Sequence, residues 1–150
     1  MSYNPSLLVA NSVLHTAFLS GDKLTHMKLQ KMIYLVFKKY LKDTGDGLFN
    51  EPFLAWQSGP VLQSVYDVFK DFSSSKINSY IVFGKEKNAR IITKNDEKFY
   101  YAVAQVYSQF GKYSGLELKN ITCNDSSAWH MAISRNENKL RKVDIWHERW

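Results

Sequence analysis

The sequence predicts a mainly α fold: a compact multi-helix domain with one small β-hairpin. Three observations carry this. Apolar residues recur at helical spacing in several long segments, capping residues stand where those segments begin, and a single stretch has strand-like composition. The 150 residues are read as one domain, 1–150, with 136–150 as a basic, aromatic C-terminal tail. With 45% hydrophobic and 15% aromatic residues, the chain has enough bulky material for a core without disulfide or metal staples.

The first helix is expected to start at Asn4-Pro5. Asn caps well, and Pro fits the first turn, where its missing N–H is not needed. Leu7, Ala10, Leu14, Ala17 and Phe18 then share a face until Gly21-Asp22 breaks the pattern. A second helix is expected from Thr25 to Thr44, capped by Thr25 and ended by Gly45. Its stripe is Leu29, Met32, Ile33, Val36, Phe37, Tyr40 and Leu41, and Lys28, Lys31, Lys38, Lys39 and Lys42 occupy a wedge on the opposite side.

The connector from Gly45 to Ser58 contains a short extended piece near Phe53–Trp56. Gly59-Pro60 is read as opening a third helix with Val61, Leu62, Val65, Val68, Phe69 and Phe72 inward. Ser79–Phe83 and Ala89–Thr93 read as a hairpin joined by Gly84–Asn88. Asn95 is expected to cap a fourth long helix, with Asp96 and Glu97 in its first turn and Phe99, Val103, Val106, Tyr107 and Phe110 inward. Shorter helices follow near Ser114–Ile121 and Ser126–Ile133, and Val143–Trp150 forms one turn or two.

Twenty Lys and Arg against fourteen Asp and Glu leave a net charge of +6, which favours acidic partners without choosing among nucleic acid, membrane surface and protein. The longest apolar runs, Met32–Phe37 and Phe99–Ala104, fall far short of the roughly 20 residues of a membrane span. The start lacks a cationic segment followed by an apolar one, so no secretory signal is expected. A single Cys123 fits a reducing compartment, and the cytoplasm is the expected location.

Catalytic motifs are absent: there is no Gly-x-Ser-x-Gly elbow, no phosphate-cradling glycine loop and no His-Glu-x-x-His. Gly45 and Gly47 lack a third glycine and follow a helix. Cys123, His26, His130 and His147 have no zinc-site spacing, so no metal or other cofactor is expected. A thiol mechanism would need a base beside Cys123; His130 and Glu51 are the residues to consider. The lysines of the second helix suggest either a solvated face, an acidic protein partner or nucleic acid. The order helix, turn, basic helix is loosely that of a DNA reader, but the connector is long and the wedge is all Lys. Trp56 and Trp129 are read as half-buried anchors, while Trp146 and Trp150 either pack on the body or face a partner.

Several segments together resemble one family. Lys23-Leu24-Thr25 followed by Lys28-Leu29-Gln30-Lys31-Met32-Ile33-Tyr34 resembles the "L-T-x-x-K-L-Q-K-L-L-Y" opening of the Panacea domain, also called the SocA-like or phage GepA-like antitoxin domain. Leu48–Phe53, then Ala55-Trp56-Gln57-Ser58-Gly59-Pro60-Val61 and Val65-Tyr66, resemble its "L-F-x-E-x-x-x-A-W-x-x-G-P-V" signature and following "V-Y". Leu116–Thr122 and Ser127-Ala128-Trp129 resemble its "L-x-x-L-T-H … S-x-W" stretch. Cys123 stands where the family usually has His, and Lys76–Arg90 matches no family motif.

The resemblance implies a mainly helical domain of bacterial and prophage genes, acting in toxin–antitoxin systems. Members neutralise a cognate toxin or other protein target by direct protein–protein interaction, and one branch is a proteolytic adaptor that delivers its toxin to a cytoplasmic protease. The expected function is therefore a non-enzymatic antitoxin, with a nucleic-acid-binding regulator using the Lys-rich face as the rival. Lys28, Gln30 and Lys31 are not needed for packing on the stripe face, so they are the expected partner-binding residues. Trp56 is added as the residue that holds the contact region rigid.

Overall fold

The computed structural model describes residues 3–72 and 75–150. Among them are seven α-helices, one of them central, with two small antiparallel strand pairs beside them. Helix α1 (Pro5–Leu19) begins as its sequence dictates: Asn4 Oδ1 accepts from the Ser6 N–H at 2.8 Å, and Pro5 occupies the first turn. Helix α2 (His26–Thr44) is capped by Thr25 and stopped by Gly45, whose φ of +81° is left-handed.

Helix α2 is the axis of the core. Helix α1, α3 (Gln63–Phe69), α4 (Glu97–Phe110), α5 (Gly115–Thr122) and α7 (Lys142–His147) all pack on it. Hence its buried run, Leu29–Lys38, is continuous, with no polar side left over. A helix covered on every side needs its polar residues hydrogen-bonded inside the protein. The expected solvent wedge of lysines is corrected accordingly: Lys31 is 1% exposed and Lys38 8%.

Gly59-Pro60 does not open a helix. Strand β1 (Leu54–Trp56) pairs antiparallel with β2 (Gly59–Val61) across the turn Gln57-Ser58, and α3 starts only at Gln63. The reason is tertiary: side chains from α2 bind the carbonyls of Pro60 and Leu62 and the Leu62 N–H, holding that stretch extended. With no capping side chain at Leu62, Glu51 serves α3 instead, accepting from the Ser64 N–H at 3.0 Å and hydroxyl at 2.6 Å. Val68, expected inward, is exposed.

The second hairpin is shorter than expected: β3 (Val82–Phe83) pairs with β4 (Asn88–Ala89) only. Asn11 of α1 replaces the next rung. Its Nδ2 donates to the carbonyls of Ile81 (2.8 Å) and Arg90 (2.9 Å), and its Oδ1 accepts from the Ile81 N–H at 2.7 Å. Ser12 Oγ takes the Ile92 N–H. Backbone groups that would have continued the ladder are satisfied by a helix. Helix α4 is capped by Asp96, one residue beyond Asn95, and Glu97 is its first residue.

Helix α5 carries a full capping box between Ser114 and Glu117. Helix α6 (Ala128–Ser134) is capped by Ser127. The C-terminal segment is no loose tail: the Leu140 N–H donates to Phe53, the Ala55 N–H to Asn138, and Ile145 and Glu148 are buried. The Glu148 carboxylate accepts from the Tyr34 hydroxyl, from Lys38 Nζ at 3.1 Å and from the Ala128 N–H at 2.8 Å. Among the described residues, no helix is long and apolar enough to cross a membrane.

Candidate functional site

Three of the four expected contact residues meet at one place. Gln30, Lys31 and Trp56 line an open groove of about 520 Å³ between the first turns of α2 and α5 and the β1–β2 hairpin. Thr25, His26 and Met27 enter it from α2, Gly115 and Leu116 from α5, and Tyr66 and Lys70 from the far side. The mouth is apolar and open: Met27 is 38% exposed and Leu116 61%. Such a volume falls within the range of ordinary ligand pockets, about 300–1,000 Å³.

The floor is built by the motif residues. Gln30 is buried and grips both backbone polar groups of one residue: Nε2 donates to the Leu62 carbonyl at 3.2 Å, and Oε1 accepts from the Leu62 N–H at 2.9 Å. The same Nε2 reaches His26 Nε2 at 3.2 Å, so His26 accepts there. Burial, and then the nearby Lys31 charge, lower the His26 pKa and keep the ring neutral. The His26 ring also packs against Tyr66 and Phe69.

Lys31 Nζ donates to the Pro60 carbonyl at 3.0 Å. Its stem passes so close to Gly59 that a Cβ there would lie 2.9 Å from Lys31 Cε and 3.2 Å from Cys123 Sγ. Burial pulls the Lys31 pKa down to about 8, and the Lys119 charge adds to the shift. Burial likewise pushes the Cys123 thiol up, which favours the neutral SH over a reactive thiolate. Trp56 stands against Tyr66, ring centroids 4.7 Å apart and nearly perpendicular, and its carbonyl accepts from Trp129 Nε1 at 2.7 Å.

The expectation that Gln30 and Lys31 are unneeded for packing is therefore corrected. Both are structural fasteners between α2 and the hairpin, almost fully buried beneath the groove that they help to line. Lys28 lies outside the groove lining, its Nζ donating to the Gly111 carbonyl at 2.6 Å, at the end of α4, where a cation suits the helix dipole.

The other α2 lysines are engaged too. Lys38 pairs with Glu148, Lys39 with Asp43, and Lys42 donates to the Trp146 carbonyl. The basic stripe read from the sequence is thus a set of internal contacts, not a free face for phosphates. Among the described residues, no group of three or more His, Cys, Asp or Glu is placed to hold a metal, and Glu51 is occupied at Ser64.

Sequence reasoning missed Met27 and took Leu116 only as the start of a motif. Each is an apolar residue in the first turn of its helix and off the stripe that packs the core, which is the signal that finds them. Tyr66 was quoted only as part of a motif, and its position against Trp56 became visible with the hairpin in place.

The Antitoxin SocA-like, Panacea domain family matches this chain over residues 29–130, a span that holds the α2 motif, the hairpin and α5. A similar protein is Antitoxin SocA of Caulobacter vibrioides, 26% identical over 126 residues, which cover 81% of this chain. The matched region is 66% of that relative's length. No solved structure matches the chain.

Proposed function

The chain belongs to the Antitoxin SocA-like, Panacea domain family, and on that premise we propose that it is an antitoxin that neutralises a partner protein by direct binding. Family membership is the observation that carries this reading. The groove supports it by offering apolar side chains, Met27 and Leu116, beside the rigid ring of Trp56. Apolar and aromatic residues that converge on a preformed pocket are the usual anchors of protein interfaces.

In this reading Trp56 meets the partner, Lys31 supplies positive charge from beneath the groove, and Gln30 holds the floor in place. The protein works in the cytoplasm, without a cofactor and without catalysis of its own. Capture of the partner is sufficient if it masks the toxin. The adaptor form adds one step, in which a cytoplasmic protease degrades the captured partner.

The test uses the tagged full-length chain, expressed in its native host and isolated at moderate salt with nuclease present. One stoichiometric protein is expected, whose separate expression arrests growth and whose toxicity is relieved by co-expression of this chain. A partner level unchanged during rescue supports masking, and a partner level that falls supports delivery to a protease. A nuclease-sensitive, non-stoichiometric set of proteins would overturn the reading in favour of nucleic-acid binding.

A further inference from the structure

The groove has a charge character of its own. Among the described residues no Asp or Glu lines it, while Lys31 stands at its floor and Lys70 at its rim. The Lys31 side chain is 1% exposed and its one hydrogen-bond acceptor is a neutral carbonyl, that of Pro60. No carboxylate lies in ion-pair range of it among the described residues, in contrast with Lys38, which has Glu148. A buried cation is ordinarily matched by a counter-charge, so this one is incompletely compensated.

Two helix N-termini add to the same field. The first turns of α2 and α5 approach so closely that a Cβ on Gly115 would lie 3.1 Å from the Lys28 backbone nitrogen. The N–H groups of Met27, Gly115 and Leu116 have no acceptor among the described residues. Both termini present partial positive charge where the groove opens. The walls, by contrast, are carbon: Met27, Val61, Leu116 and the rings of Trp56 and Tyr66.

We infer that the groove receives an acidic side chain of the partner protein with a bulky apolar neighbour, the carboxylate lying toward Lys31 and the two helix N-termini and the apolar group against Met27, Trp56 and Leu116. The inference rests on the antitoxin reading for the partner's being a protein, and it adds the chemistry of the segment recognised. A nucleic-acid backbone fits less well. Phosphate recognition favours a strip of exposed Arg and Lys, and here the deep cation sits behind an apolar mouth.

The test has two arms. In the first, the full-length chain is used to select from a displayed random-peptide library, and the selected sequences are synthesised. They are expected to carry Asp or Glu within two residues of a large apolar side chain, and conversion of that acid to its amide is expected to weaken binding about tenfold or more. Leu116→Glu and Met27→Glu are each expected to reduce binding by a similar factor, because they place a carboxylate at the mouth. Both variants should fold, since the replaced side chains are exposed and an acid in the first turn suits a helix. Val143→Glu makes the same change in the first turn of α7, outside the groove, and should leave binding unchanged.

The inference is overturned if selected peptides are indifferent to the acid-to-amide change, if they bind the two groove variants as well as the parent, if none are selected, or if inorganic phosphate or DNA displaces them without their sharing an acid. In the second arm the groove variants are tested for relief of toxicity. Full relief by Leu116→Glu and Met27→Glu overturns the groove assignment and leaves the antitoxin reading standing. Acidic peptides that bind as expected, beside a parent chain that relieves no toxicity, support the groove and overturn the antitoxin reading instead.

Discussion

Replacing Gly59 by Ala tests the junction on which the groove depends. Gly59 has φ +104°, in the left-handed region, where an L-residue costs about 1–2 kcal/mol. The new Cβ would also stand 2.9 Å from Lys31 Cε. Lys31 has no easy escape, because its Nζ is held by the Pro60 carbonyl at 3.0 Å and its stem is buried. Moving it sacrifices a buried hydrogen bond, about 1–3 kcal/mol.

Together the two effects predict a loss of about 2–5 kcal/mol, a large part of the roughly 5–15 kcal/mol that holds a typical domain. Urea unfolding followed by far-ultraviolet circular dichroism measures it. Repeating Gly59→Ala in a Lys31→Ala background removes the steric part and leaves the backbone part, so the cost should fall to about 1–2 kcal/mol. A loss below about 1 kcal/mol in the parent, or the same loss in both backgrounds, would refute the reasoning.

Three further outcomes follow from the same geometry. Lys31→Glu should destabilise by about 3 kcal/mol or more, since it buries an acid opposite the Pro60 carbonyl, whereas the partly buried Lys28→Glu should cost less in the same urea titration. Glu148→Gln should cost about 3 kcal/mol, because it removes the charge that compensates buried Lys38, and deletion of residues 148–150 should destabilise at least as much. Acid should weaken the fold through His26: its folded pKa lies below the ordinary 6.5, so the stability it contributes is present above that value and lost as pH falls through it. The parent should therefore lose more stability than His26→Phe between neutral and mildly acidic pH, as measured by urea midpoints, and equal losses would remove His26 as the cause.

Local chemistry was legible. Asn4-Pro5, Thr25 with Gly45, Ser114 and Ser127 mark helix ends because a cap acts within three or four residues of itself. The family motifs were legible for a related reason: they bring together residues whose spacing reflects one shared geometry. The role of the exposed apolar residues at the groove mouth was missed because their significance depends on two helix starts, nearly ninety residues apart in sequence, meeting in space.

By itself, then, the sequence determined the class of fold, most helix boundaries and the family. Tertiary structure decided that α2 is buried on every side. Lysine at helical spacing reads as a solvent face because a charge usually needs water, yet a long apolar stem can lie in the core when its ammonium finds an acceptor. For Lys31 and Lys38 those acceptors are the carbonyl of Pro60 and the carboxylate of Glu148, 29 and 110 residues away. Asn11 in the second hairpin and Gln30 at Leu62 follow the same rule, satisfying backbone groups 70 and 32 residues distant. Periodicity describes a helix and its immediate neighbours, and only the folded chain supplies partners from so far along its length.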